Sequence, residues 1–139
     1  MALQPVALVY GIAFLLVGIA GFIPGLLTPP PAGAPPLAVP QGHGMLFGIF
    51  PVNLLHNLVH LAFGLWGVAA RRTVPGSRTF LRSVGLIYLF LALFGAIPGT
   101  STLFGLSPLW GGDVWLHILL ALPALYVGFF VPARPRVTA

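Results

Sequence analysis

The sequence of 139 residues contains no cysteine, and its only acidic residue is Asp113. The absence of cysteine excludes disulfide bonds, thiolate metal sites, iron–sulfur clusters and a cysteine nucleophile. Charged residues make up 5% of the chain, against about 25% in average soluble domains, and they are too few to solvate the surface of such a domain. The six positive charges are all arginines and form no basic stripe, so nucleic acid is not expected as a partner.

Apolar residues fill most of the chain instead. They make up 58% of the sequence, and the mean hydropathy is +1.05. A helix crosses a bilayer with about 20 apolar residues and satisfies its own backbone hydrogen bonds in lipid. The sequence therefore predicts an all-α integral membrane protein, with one domain over residues 1–139 and four transmembrane helices. The predicted spans are 5–27, 51–70, 80–97 and 113–131.

The arginines predict the orientation of these spans. Four of them flank the connection between the second and third spans, two follow the fourth span, and the other two connections contain none. Because positively charged loops stay in the cytoplasm, we expect both termini on the cytoplasmic side of a bacterial inner membrane, which the chain crosses several times. The arginines concerned are Arg71, Arg72, Arg78, Arg82, Arg134 and Arg136.

Two segments of the chain resemble each other at a constant spacing. The motif Leu-Phe-Gly-x-x-Pro at residues 46–51 recurs at residues 103–108, 57 positions later, and the same spacing relates His60 to His117. The first and third spans match at a spacing of 74, and an Ile-Pro-Gly sequence ends both. We therefore predict two tandem helical hairpins, related as a parallel pseudo-twofold repeat about an axis along the membrane normal.

The first outer loop, residues 28–50, is the longest segment outside the spans. Its proline-rich stretch predicts an extended, polyproline-like cover over the outer face. His43 lies in this loop and is a candidate lid over a site below it, although a solvated loop histidine is the simpler interpretation.

The second span begins with four polar residues on one helical face. Asn53, His56, Asn57 and His60 follow an i, i+3, i+4, i+7 spacing, which brings their side chains to the same side of a helix. The repeat relates His56 to Asp113 in the same way as it relates His60 to His117. Ionisable groups are costly inside a membrane, so we expect this face to point into the bundle interior or a cavity.

The fourth span begins with a matching polar pair. Asp113 and His117 are spaced i, i+4, and the repeat places them at the depth of His56 and His60. Three imidazoles and one carboxylate form a ligand set that zinc or another divalent transition metal accepts. The sequence therefore predicts a metal site with His56, His60, Asp113 and His117 as ligands. Asn53 and Asn57 are expected to orient the imidazoles by accepting hydrogen bonds from their N–H groups.

Two other interpretations of this pattern stay open. One is a b-type haem held by His60 and His117, the two imidazoles that the repeat relates. The other is a purely structural network of Asp, His and Asn hydrogen bonds that fixes helix pairing, as polar residues commonly do in membrane bundles. Tyr88 lies in the middle of the third span, where its hydroxyl is expected to donate to a backbone carbonyl or to the polar residues.

The motif Leu55-His56-Asn57-x-x-His60-Leu, followed by Asp113-x-x-x-His117, resembles a family of small four-span bacterial membrane proteins that is classified only as a domain of unknown function. The resemblance covers most of the chain. It implies a stand-alone four-helix membrane protein and no particular activity, and the recurring polar residues of the family map onto the residues named in these two motifs. The proline-rich loop departs from the family pattern.

Two classes of function follow. The first is a membrane protein with an outward-facing metal-binding site. The second is a non-catalytic small subunit or scaffold that acts through its spans within a homo-oligomer or a larger membrane complex, with the polar residues as a structural network. The sequence favours a protein without enzymatic activity; an enzyme stays an alternative only if the polar site reaches water and holds a metal with an open position.

Overall fold

In the part of the chain that the structure describes, four helices pack together and a small sheet covers one end of them. The computed structural model describes residues 3–132; Arg134 and Arg136, which the orientation argument uses, lie outside the described residues. The helices are α1 (Leu3–Ala20), α2 (Leu54–Ala70), α3 (Val74–Ala96) and α4 (Gly112–Phe130), and the strands are β1 (Leu27–Thr28), β2 (Gly44–Leu46) and β3 (Phe50–Val52).

Three of the four helices are long and apolar enough to cross a membrane. They are α1, α3 and α4, with 18, 23 and 19 residues. Helix α2 has 17 residues and is therefore about 26 Å long, slightly less than the hydrocarbon core of about 30 Å. Large apolar side chains are exposed along the helices, among them Leu119 and Phe130 at 68% and 75%. The prediction of a multi-pass, mostly helical membrane protein is confirmed.

The helices pack in two antiparallel pairs, α1 with α2 and α3 with α4. Glycine allows the close approach in both pairs, because a Cβ atom on Gly11 would lie 2.6 Å from the Val68 backbone nitrogen, and one on Gly85 would lie 3.0 Å from that of Leu125. The pairs meet in an apolar core between α1, α3 and α4. There the Tyr10 hydroxyl donates to the Leu120 carbonyl at 2.7 Å and joins α1 to α4.

Three helix boundaries differ from the predicted spans by three residues or more. Helix α2 begins at Leu54 rather than at residue 51, and Pro51 and Val52 belong to β3 instead. Helix α1 ends at Ala20 rather than at residue 27, and a 3₁₀ turn (Pro24–Leu26) follows it. Proline disfavours the α conformation in the residue before it, which explains why the helix does not continue through Ile23. Helix α3 begins at Val74, six residues before the predicted span, because Thr73 caps its first turn by accepting from the Gly76 N–H.

The sheet is a second difference from the all-α prediction. It is antiparallel in the order β1, β2, β3, with Leu46 of β2 opposite both Leu27 of β1 and Phe50 of β3. The proline-rich loop then runs across to the loop between α3 and α4, where Ala38 and Val39 donate their N–H groups to the Gly105 carbonyl. The loop of residues 28–50 and the loop of residues 97–111, which the orientation argument predicts to be the two outer loops, therefore form one cap over the helix ends.

Each outer loop contains a phenylalanine in a left-handed backbone conformation. Phe47 has a φ of 54° and Phe104 a φ of 59°, and a glycine with positive φ follows each of them. Bulky residues rarely adopt this conformation. Both rings are largely exposed, at 60% and 72%.

Candidate functional site

The beginning of α2 positions the first polar residues. Asn53 is the N-cap of this helix: its side-chain oxygen accepts from the His56 backbone N–H at 2.9 Å. Its amide nitrogen donates to the carbonyls of Val39 and Leu106, each at 2.8 Å. Asn53 is fully buried, so it ties both outer loops to the start of α2.

Asn57 holds α2 against α1 in a similar way. Its amide nitrogen donates to the Gly21 carbonyl at 2.8 Å. The prediction had Asn53 and Asn57 orienting imidazoles from behind. Among the described residues, both amides instead bond to backbone carbonyls, so their observed role is to position the helix and the loops.

The His60 imidazole is fixed at both ring nitrogens. Its Nδ1–H donates to the His56 carbonyl at 3.0 Å, and its Nε2 lies 3.2 Å from the Tyr88 hydroxyl of α3. A neutral imidazole carries one N–H, so Nε2 is the acceptor and the tyrosine hydroxyl donates to it. The His56 ring stacks on the His60 ring, with centroids 4.2 Å apart and an interplanar angle of 15°.

Helix α4 supplies the other two predicted residues. Asp113 lies in its first turn, and its Oδ2 is 3.5 Å from Nε2 of His117. Both side chains are almost completely buried. The Nδ1 atom of His117 is buried and has no hydrogen-bond partner within residues 3–132.

Tyr88 joins the two halves of this site. Its ring meets the edge of the His117 ring at a centroid distance of 4.8 Å and an interplanar angle of 87°. On its other side it stacks on Phe14 of α1 at 5.2 Å. Phe14 in turn meets the edge of the His60 ring at 5.7 Å and 82°. The result is a row of four rings in the order His117, Tyr88, Phe14 and His60, with the two aromatic side chains between the two imidazoles.

A cavity of about 180 Å³ lies beside these groups, and we call it the imidazole cavity. Side chains of α2, α3, α4 and the second outer loop line it. Its polar lining residues are His56, His60, Tyr88, Ser107 and His117, and its apolar ones are Leu55, Val59, Phe63, Ile87, Leu91, Leu103 and Leu109.

The structure brings the predicted residues together without arranging them as metal ligands. His56, His60 and His117 all line the imidazole cavity, and Asp113 lies behind His117. Over the described part of the chain, no group of three or more His, Cys, Asp or Glu side chains is arranged to hold a metal ion. Both ring nitrogens of His60 are engaged, one with the His56 carbonyl and the other with the Tyr88 hydroxyl, so neither is free for a metal in this arrangement.

His43 lies apart from the imidazole cavity. Its Nδ1–H donates to the Val52 carbonyl of β3 at 3.0 Å, so it belongs to the cap rather than to the lining of the site.

Sequence reasoning missed Phe14 and Ser107. Phe14 lies 74 positions before Tyr88, the spacing that relates the first span to the third, so the repeat was the signal that could have identified it. No sequence pattern indicates Ser107, because the fold of the outer loop alone brings it to the cavity.

Comparisons with known proteins agree with the motif resemblance. No curated protein and no solved structure matches the chain. A family model described as a domain of unknown function, DUF4383, matches residues 4–130, which include α2, α3 and α4, all of α1 except Leu3, and every residue of the imidazole cavity. The chain therefore belongs to the DUF4383 family of proteins, whose function is unknown.

Proposed function

We propose that this membrane protein binds a lipophilic small molecule in the imidazole cavity. The observation that carries the proposal is the composition of the cavity: mostly apolar walls with a few polar groups among them. Small-molecule sites typically have this composition, and ionisable residues within a membrane span usually mark a functional site. The cavity volume is close to the roughly 150 Å³ that accommodates one benzene ring in a protein interior.

The surroundings of the cavity favour entry from the bilayer. Val59 of α2 and Ile87 of α3 line the cavity and are also 40% and 36% exposed on the helix surface. On the side of the outer loops, Leu109 is buried and closes the cavity beneath the cap. A ligand that enters between α2 and α3 must therefore be soluble in lipid.

Photolabelling tests this proposal. The small aryl diazirine 3-trifluoromethyl-3-phenyldiazirine is added to the protein in liposomes, and the labelled residues are identified by peptide mass spectrometry. We expect labels on Tyr88 and His117, which are 1% and 2% exposed and which lipid alone does not reach. Labels confined to exposed residues such as Leu119 would contradict the proposal.

A pair of variants provides the control. Val59→Trp fills the mouth of the cavity, whereas Leu58→Trp places the same ring on the neighbouring exposed position, which does not line the cavity. Labelling of Tyr88 should fall severalfold in the first variant and stay unchanged in the second. An equal fall in both variants would indicate a general effect on the fold and count against the cavity.

A divalent transition metal is the second candidate ligand. Two imidazoles have surroundings that favour a metal. The Nδ1–H group of His60 donates to the His56 carbonyl, and the Asp113 carboxyl group lies beside Nε2 of His117. Metal-binding histidines are commonly oriented by such oxygen partners. In this arrangement His56, His60 and His117 are the ligands after a change of side-chain rotamer, and Asp113 orients His117.

Elemental analysis of the purified protein tests whether the chain binds a metal ion. We expect about one metal ion per chain and loss of that ion in the double variant His60→Ala/His117→Ala. Substoichiometric metal that does not change in the variant would exclude this candidate. A Soret absorption band in the same sample would instead indicate haem. Binding of haem between His60 and His117 requires Tyr88 to move, because Tyr88 contacts both imidazoles.

The scaffold interpretation makes the opposite prediction. It expects other subunits to co-purify in stoichiometric amounts in mild detergent, and it expects the assembly to tolerate substitution of His60 or His117.

We further propose that the two hairpins arose by duplication. Several contacts correspond under the two sequence spacings: Gly11 approaches Val68 as Gly85 approaches Leu125. The edge-to-face pair of Phe14 and His60 corresponds in the same way to that of Tyr88 and His117. The left-handed phenylalanines of the two outer loops are also 57 positions apart. Chance resemblance of apolar helices does not predict such matched contacts.

The orientation of the bundle is part of the same proposal. The connection between α2 and α3 carries Arg71 and Arg72, and the first turns of α3 carry Arg78 and Arg82, which supports the placement of this end of the bundle in the cytoplasm. The cap and the imidazole cavity beneath it then belong to the outer half of the membrane.

A further inference from the structure

The hydrogen bonds around the imidazole cavity indicate which chemical class of ligand fits it. We infer that the cavity favours a lipophilic aromatic alcohol, a phenol or a quinol, over an aromatic compound of the same size that lacks the O–H group. This inference rests on the proposed function, because it names the ligand class of the same cavity.

The hydroxyl proton of Tyr88 already takes part in a hydrogen bond. It donates to Nε2 of His60, whose other nitrogen donates to the His56 carbonyl, so this chain of hydrogen bonds has one direction. The tyrosine oxygen keeps lone pairs that accept a hydrogen bond. A ligand that can only accept finds no free proton on Tyr88.

His117 offers a second acceptor. Oδ2 of Asp113 lies 3.5 Å from Nε2 of His117 and has no hydrogen-bond partner among the described residues, so Asp113 in its ionised form favours an N–H on Nε2, which leaves a lone pair on Nδ1. This Nδ1 atom is buried without a hydrogen-bond partner among the described residues. An unpaired buried polar atom costs free energy, and a donor that pairs with it recovers that cost.

The remaining polar groups of the cavity do not reverse this preference. The Ser107 hydroxyl and the neutral His56 imidazole can each donate as well as accept. A hydroxylated ring also does both, so it can pair with these groups through its oxygen while its proton goes to His117 or Tyr88. The edge of the His117 ring against Tyr88 and the apolar walls suit a single aromatic ring.

Competition against the diazirine label tests the inference with a matched pair of ligands. 4-Hexylphenol and 4-hexylanisole share the ring and the chain and differ only in O–H against O–CH₃. We expect the phenol to reduce labelling of Tyr88 at a concentration about fivefold lower than the anisole, as one additional hydrogen bond implies. Both concentrations are corrected for partition into the liposomes.

Two variants link this preference to the proposed atoms. His117→Phe removes the unpaired acceptor, so the phenol should lose most of its advantage. Tyr88→Phe keeps the ring and frees the His60 lone pair, so the preference for the phenol should persist. His43→Phe lies outside the cavity lining and should behave like the unsubstituted protein.

Three results overturn the inference. They are equal competition by phenol and anisole, loss of the preference in Tyr88→Phe, and failure of both compounds to compete while Tyr88 stays labelled. The last result leaves the proposed function intact, because the cavity still admits an aryl molecule. If the diazirine itself fails to label Tyr88 and His117, both the proposed function and this inference are wrong.

Discussion

Asn53 joins three parts of the molecule through one side chain. Its oxygen caps α2, and its amide nitrogen bonds a carbonyl in each of the outer loops. Its sequence position on the polar face of the second span was predictable. Its partners were not, because Val39 and Leu106 lie 14 and 53 positions away and the folded loops alone bring them near.

Replacing Asn53 should therefore destabilise the cap as well as the helix. We expect Asn53→Ala to lower the free energy of unfolding by about 2–3 kcal/mol, because the helix loses its N-cap and two buried carbonyls lose their donor. Asn53→Ser keeps an oxygen for the cap and should lose less. Unfolding in mixed micelles gives the free energies, and amide hydrogen exchange should rise at residues 38–39 in both variants. Unchanged exchange there would contradict the role of Asn53 in the cap.

Among the elements, the helices were more predictable than their ends. The hydropathy of the chain indicates apolar runs, and the C-terminal ends of α2, α3 and α4 lie within one residue of the predicted positions. Hydropathy does not distinguish an apolar helix from an apolar turn or strand. Leu26 and Leu27 were therefore included in the first span, although the chain leaves the helix at Ala20.

Glycine determines how closely the helices of each pair approach. We expect Gly11→Ala and Gly85→Ala each to lower the free energy of unfolding by about 1–3 kcal/mol, because the added methyl group meets the backbone of the facing helix. Gly25→Ala is the matched control: no atom lies within 4 Å of the added Cβ, so its stability should stay within about 0.5 kcal/mol. Equal effects in all three variants would show that the close approach is not the cause.

At the scale of the whole molecule, the membrane class follows from composition, whereas the site depends on the fold. The spacing of His56, His60, Asp113 and His117 predicted a shared site but not the relative orientation of their side chains, which follows from ring stacking and from the hydrogen bond of Tyr88. Such orientations depend on how the side chains pack, and the spacing of residues along the sequence does not determine that packing.

The absence of native cysteine allows a direct test of orientation. Ala32→Cys places a thiol on the exposed outer loop, and Pro75→Cys places one beside the arginine-rich connection at the start of α3. In intact cells, a membrane-impermeant maleimide should label the first variant and not the second. Both should react after permeabilisation, and the unsubstituted protein should not react at all. The reverse labelling would invert the proposed topology.

Phe14 and Tyr88 stack on each other, and each meets the edge of one imidazole. The two aromatic side chains differ by a single oxygen atom, which bonds to His60 and not to His117. Because of this oxygen atom, the His60 and His117 imidazoles have different surroundings, although each meets one aromatic ring edge to face. The two imidazoles therefore differ: Nε2 of His60 is paired with a hydroxyl, whereas Nδ1 of His117 has no hydrogen-bond partner among the described residues. If the proposed function holds, this difference should orient a bound phenol in one direction.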